Sequence, residues 1–267
     1  MDVYFLDGGT WERSDRLFHA LGLEDLMGQR AGRPYVIALN GAGGKTSLIR
    51  RLAREAMGQG LRVLVATTTH MAEPSRLGVF SGRPEDVEAM LDRESAAVAG
   101  RKTGNGKIAF VDRDFYETAC SLADLVLVES DGSKRLPLKV PGPGEPAVPG
   151  NADMILCVSG LKALGEPAAE KCFRLEAAHE IMREHGRRDY MEGGQWNISP
   201  GDMVCLMRYG YLEPMRKMHG SSVVIPVFNQ ADTPELANLA GRMAEEMNER
   251  RTLISGRLTE DEAAGLF

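Results

Sequence analysis

The sequence predicts an α/β protein built on a mostly parallel sheet with helices on both faces. Three observations carry that expectation. Short runs rich in Val, Ile and Leu recur at 35–39, 61–66, 108–111, 124–129, 153–158 and 222–228; stretches of helical apolar spacing fall between them; and polar or glycine-rich clusters follow several strand ends. Near-continuous apolar strands alternating with amphipathic helices are what a parallel sheet covered on both sides requires.

In chain order, residues 1–33 read as a helical lead-in with a helix at about 15–22. The strand at 35–39 feeds a glycine-rich turn and a helix at about 46–58, with Leu48, Ile49, Leu52 and Ala56 on one face. Further helices are expected at about 84–98, 114–121, 175–185 and 234–249. A last one, at about 259–265, opens at Thr259 with Glu260, Asp261 and Glu262 in its first turn. Residues 137–150 hold five prolines and three glycines, so the segment 133–150 reads as a loop, placed by its neighbours at the active site. No internal repeat interrupts this pattern. A chain of 267 residues suits a single domain, residues 1–267, with a sizeable core.

Composition narrows the functional classes. A formal net charge of −6 argues against a general nucleic-acid or anionic-membrane partner. The N-terminus carries no basic segment followed by a long apolar one, and no apolar stretch approaches spanning length, so a cytoplasmic protein is expected. Cys120, Cys157, Cys172 and Cys205 are isolated, with no C-x-x-C pair to suggest zinc or dithiol chemistry.

The chemistry-bearing residues gather at strand ends. Gly41-Ala42-Gly43-Gly44-Lys45-Thr46-Ser47 follows the first strong strand, and three glycines allow the backbone to close on a bulky anion. Lys45 supplies positive charge, and Thr46 opens the following helix, whose dipole favours phosphate and whose hydroxyl can reach Mg²⁺. The common phosphate-loop spacing would need glycine at position 39, where this chain has Leu39. The tighter G-x-x-G-K-T-[ST] spacing is similar to the ATP loop of the Mur ligases.

Glu129 and Asp131 end the strand at 124–129 and would project to the same sheet edge, with Asp131 a metal-side group and Glu129 an activator of water or a support; the two roles are interchangeable on sequence grounds. Thr67, Thr68, Thr69 and His70 follow the strand at 61–66. Their hydroxyls suit phosphate or a catalytic water and the imidazole a proton donor or substrate contact, while turn capping accounts for the same residues. Lys134, Arg135 and Lys139 offer cations for an anionic second substrate or the γ-phosphate, while a solvated charge run accounts for the same residues. Asn229 and Asp232, in N-Q-A-D, parallel a guanine-reading N-K-x-D segment, except that Gln230 replaces the lysine; a strand-end turn capping the helix that starts near Pro234 accounts for the same residues.

Taken together, V-I-A-L-N-G-A-G-G-K-T-S, T-T-T-H-M, E-S-D-G-S-K-R-L-P-L-K with Glu145-Pro146, and N-Q-A-D resemble the YqeC family, over about residues 35–232. The resemblance implies a P-loop NTPase-like accessory protein for selenium-dependent molybdenum hydroxylases, assisting maturation of the client enzyme or its cofactor. A more distant, fold-level similarity is to nickel-insertion GTPases. ATP or GTP with Mg²⁺ would be the cofactors. Function then reads as NTP hydrolysis or phosphoryl or nucleotidyl transfer, with Lys45, Glu129 and His70 at the chemistry. A non-catalytic nucleotide-switched chaperone and a small-molecule kinase are the alternatives.

Overall fold

The computed structural model describes residues 3–29, 32–186, 196–256 and 266–267. In chain order its strands are β1 (Val3–Asp7), β2 (Thr10–Ser14), β3 (Tyr35–Gly41), β4 (Val63–Thr67), β5 (His70–Ala72), β6 (Gly78–Val79), β7 (Ala96–Ala99), β8 (Arg101–Lys102), β9 (Lys107–Ala109), β10 (Leu125–Glu129), β11 (Leu138–Lys139), β12 (Met154–Gly160), β13 (Cys172–Phe173), β14 (Val223–Asn229) and β15 (Arg251–Ser255). The α-helices are α1 (Leu17–Ala20), α2 (Leu23–Gly28), α3 (Lys45–Met57), α4 (Pro84–Glu94), α5 (Arg113–Ser121), α6 (Ala168–Lys171), α7 (Leu175–Glu184), α8 (Pro200–Met207), α9 (Glu213–Met218) and α10 (Pro234–Met247).

Ten strands form one sheet in the order β2-β1-β15-β14-β12-β3-β10-β4-β7-β6. Every pairing from β15 across to β6 is parallel, and the β1–β2 hairpin adds the antiparallel edge. This is the expected α/β architecture. Strand alternation divides the core. Tyr35, Ile37 and Leu39 of β3 face the layer that holds α1 and α3, with Leu48, Ile49 and Leu52 of α3 packed on them. On the opposite face Val36 packs with Val87 and Phe115 of α4 and α5, while Ala38 packs with Leu206 and Met243 of α8 and α10. Burial on both faces is why these strands read as unbroken apolar runs.

Several elements differ from expectation. The lead-in expected to be helical begins with the β1–β2 hairpin, and the helix expected at 15–22 breaks at Gly22 (φ 63) into α1 and α2. The helix expected over 84–98 ends at Glu94; Ser95 turns left-handed and Ala96–Ala99 becomes β7, between β4 and β6. Alanine favours helices, and parallel pairing with β4 overrides that preference here. The run at 108–111 joins no parallel sheet: Lys107–Ala109 is the middle of a small antiparallel sheet, β5-β9-β8. The helix expected at 259–265 lies outside the described residues.

Parallel β3, β4, β10, β12 and β14 all end on one side. That edge carries residues 41–46, Thr67, Glu129 to Asp131, Gly160 and Asn229.

Candidate functional site: a glycine cradle at the sheet edge

The cradle is β3 running through glycines into α3. Gly41, Gly43 and Gly44 all have positive φ (91, 81 and 118). At Gly43 a side chain is excluded twice over, because a Cβ would collide with the Gly160 backbone and lie 2.8 Å from the Pro137 carbonyl. The Ala42 N–H donates to the Val158 carbonyl (2.8 Å) and that of Gly43 to Leu136 (3.3 Å), so β12 and the loop after β10 clamp the turn from two sides. Asn229, at the end of β14, donates its Nδ2 to the Gly43 carbonyl (2.7 Å) and accepts from Ser255 Oγ (2.7 Å). The first turn of α3 points its free N–H groups at the space above the loop.

Below the loop lies a buried ion network. Asp131 is fully buried. Its Oδ2 accepts the Gly41 N–H (3.0 Å), Lys139 Nζ (2.9 Å) and Tyr211 Oη (3.3 Å), and its Oδ1 lies 3.0 Å from Lys45 Nζ. Lys45 also donates to the Gly41 carbonyl (2.5 Å). Lys139, equally buried, spends all three of its donors, on Asp131, on the Gly132 carbonyl (2.7 Å) and on Glu145 (2.6 Å). Glu145 in turn takes a two-pronged contact from Arg174 (2.6 and 2.8 Å). Burial pushes the Glu145 carboxyl up, but the hydrogen bonds from Arg174 and Lys139 outweigh it and hold the group at about 2. Burial, then the Asp131 charge, drive the Tyr211 phenol well above its ordinary range, so it remains a donor.

Glu129 differs from Asp131 in direction. Its Oε2 accepts from Thr46 Oγ1 (2.9 Å), and it lines the cleft above the cradle, whereas Asp131 lies beneath the loop. Burial raises the Glu129 carboxyl pKa, and Lys45 and Thr46 only partly offset that. The acid that meets Thr46 is therefore Glu129.

The cleft has a volume of about 1120 Å³. Of the residues expected at the site, Gly43, Gly44, Lys45, Thr46, Ser47, Thr69, His70, Glu129, Lys134, Arg135 and Asn229 line it. Gly41 and Ala42 lie buried behind them. Thr67 binds the Glu129 carbonyl (3.0 Å) and receives the Thr69 N–H (3.1 Å), bracing the turn that carries Thr68 and exposed His70. Lys139 sits under the cleft, committed to the ion network. Asp232 pairs with Lys162 (3.2 Å) on the flank, away from Asn229, whose amide is spent on the cradle.

Sequence reasoning did not single out Arg174, Tyr211 or Ser255. Tyr211 sits in a π-helical turn, Arg208–Leu212, between α8 and α9, the kind of irregularity often found near functional sites. The helix that delivers it carried a readable start, Ser199-Pro200-Gly201-Asp202, which forms a capping box. Nothing local marks Arg174 or Ser255; only tertiary pairing brings them in. All four cysteines are buried. Burial pushes the thiols of Cys120 and Cys157 up and that of Cys172 to about 12, which leaves little thiolate.

A family model described as YqeC protein matches residues 37–176, a span that holds the cradle, Glu129, Asp131 and the Lys139–Glu145 pair. The chain is also 36% identical over 154 residues to a protein of Escherichia coli (strain K12) described as Uncharacterized protein YqeC, covering 53% of this chain and 57% of that relative. The chain thus spans little more than half the length of that relative.

Proposed function

The chain belongs to the YqeC family, and from that premise we propose that it is a nucleotide-binding accessory protein, holding ATP or GTP with Mg²⁺ on residues 41–47 and acting in maturation of a selenium-dependent molybdenum hydroxylase or its cofactor. One observation carries the nucleotide part. Positive-φ glycines, a helix N-terminus, a lysine and a Thr–Glu pair converge on one open cleft at the ends of parallel strands.

Each residue has a task in this reading. Backbone N–H groups of the cradle and the start of α3 take phosphate oxygens. Lys45 spends one donor on the Gly41 carbonyl and pairs with Asp131, which leaves it a donor for phosphate while Asp131 still holds it. Among the described residues no group of three or more His, Cys, Asp or Glu side chains could hold a metal by itself. Thr46 and Glu129 fit Mg²⁺, which commonly takes one or two protein ligands and completes its shell with phosphate oxygens and water. Bound there, the ion would neutralise charge on the phosphates. Asp131 and Lys139 hold the floor of the loop and set Lys45 in place. His70, exposed at the rim, is the group free to move a proton.

The direct test is calorimetric titration of ATP and GTP into wild type and Lys45→Ala. Loss of at least tenfold in affinity in the variant is expected; equal affinity in both would remove Lys45, and with it the cradle, from the account. The pathway role is tested separately, by asking whether cells lacking this protein accumulate inactive hydroxylase. Full hydroxylase activity in such cells would sink it.

A further inference from the structure

The cleft is larger and more cationic than one nucleotide-phosphate cradle needs. Its volume, about 1120 Å³, exceeds the roughly 300–1,000 Å³ usual for a single small-molecule site. Five basic side chains line it, Lys45, Lys107, Lys134, Arg135 and Arg174, against the two acids Glu129 and Glu145, in a chain of net charge −6. Lys45 and Arg174 are engaged by Asp131 and Glu145. Lys107, Lys134 and Arg135 meet no carboxylate among the described residues.

The backbone points to the same wall. Seven non-glycine residues have positive φ among those described, and four of them, Lys134 (51), Arg135 (64), Arg174 (68) and Gln230 (67), line this cleft. Two consecutive charged residues in the left-handed region are costly where glycine or asparagine would do, and such strain gathers at functional sites. The turn they form lies just beyond Asp131, whose contacts anchor it to the cradle floor. Lys134 Nζ stands 4.8 Å from the centre of the Phe173 ring, which holds the ammonium against the β11–β13 pair. Across the cleft, Lys107 of β9 stands opposite Ala72 of β5, so alternation places it on the same face as His70.

Resting on the nucleotide reading above, we propose that the cleft takes two ligands at once: the nucleotide on the cradle, and a second, phosphate-bearing small molecule gripped by Lys134, Arg135 and Lys107. The rim cations then read the second substrate rather than the nucleotide.

The test uses inorganic phosphate as the probe, followed by ³¹P NMR line broadening, on protein saturated with Mg²⁺ and the β,γ-imido analogue of whichever nucleotide binds. The rim variant is Lys134→Asn with Arg135→Asn, since asparagine tolerates left-handed backbone while removing both cationic heads. A control, Lys217→Gln with Arg250→Gln, removes the same charge from exposed positions elsewhere. Phosphate is expected to bind the nucleotide-loaded wild type and the control alike, and the rim variant at least tenfold more weakly, with nucleotide affinity in the rim variant within threefold of wild type. Equal phosphate affinity in rim variant and control, absence of phosphate binding to loaded wild type, or a tenfold loss of nucleotide affinity in the rim variant would each overturn the proposal. If neither nucleotide binds wild type, the cradle reading fails by itself. The same phosphate comparison on free protein then decides the rim: loss in the rim variant alone retains it as an anion site, and equal binding removes it.

Discussion

Asp131 and Glu129 are two residues apart and do opposite work. Asp131 is sealed between two buried ammonium groups and a loop N–H, so removing its charge leaves Lys45 without its buried counter-ion and Lys139 with Glu145 alone. Breaking such a pair costs about 3–5 kcal/mol. Asp131→Asn should therefore lower the urea midpoint at neutral pH by that equivalent, and a loss below about 1 kcal/mol would show that the network does not hold the floor. Glu145 makes the complementary prediction through pH. Its folded pKa, about 2, lies below the ordinary 4.5, so its contribution to stability is present above 4.5 and disappears as pH falls through about 2. Replacing it with Gln should flatten the acid limb of the stability curve in that window. An unchanged slope in a pH series of denaturant melts would mean that Arg174 and Lys139 gain nothing from its charge.

At the scale of elements, the site depends on the loop between β3 and α3 fitting under β12. Gly43→Ala forces a Cβ into the Gly160 backbone and the left-handed region at φ 81. Its stability loss should exceed the roughly 1–2 kcal/mol of left-handed strain alone, and thermal melts of the folded variant measure it; a variant as stable as wild type would mean the loop is not clamped. This element was legible in sequence because its signals are local: an apolar strand, spaced glycines, Lys-Thr, then an amphipathic helix. The same locality misled at Ala96–Ala99, where helix-favouring alanines become β7 because β4 and β6 supply its partners. It was equally silent on Ser255 and Tyr211, which reach Asn229 and Asp131 from 26 and 80 residues away. The polar residues at strand ends were readable as a group. Which of them face the cleft and which lie beneath it was not, since Glu129 and Asp131 are separated by packing rather than by type.

For the whole molecule, eight parallel strands bring five sequence-distant segments to one edge, and helical layers pack on both faces of the sheet that carries it. No helix among the described residues is long and apolar enough to cross a membrane. The parallel sheet was legible as a class from the apolar runs, while the β1–β2 hairpin and the short strands at its other edge were too brief or too polar to register. In the function proposed above, this edge binds a nucleotide through Mg²⁺ held by Thr46 and Glu129. The measurement that tests it most directly is calorimetric titration of ATP and of GTP, with and without Mg²⁺, into wild type and Glu129→Gln. The expected result is binding of at least one nucleotide that Mg²⁺ strengthens in wild type, with that gain lost in the variant. Neither nucleotide binding wild type, or a full Mg²⁺ gain surviving in Glu129→Gln, would contradict it.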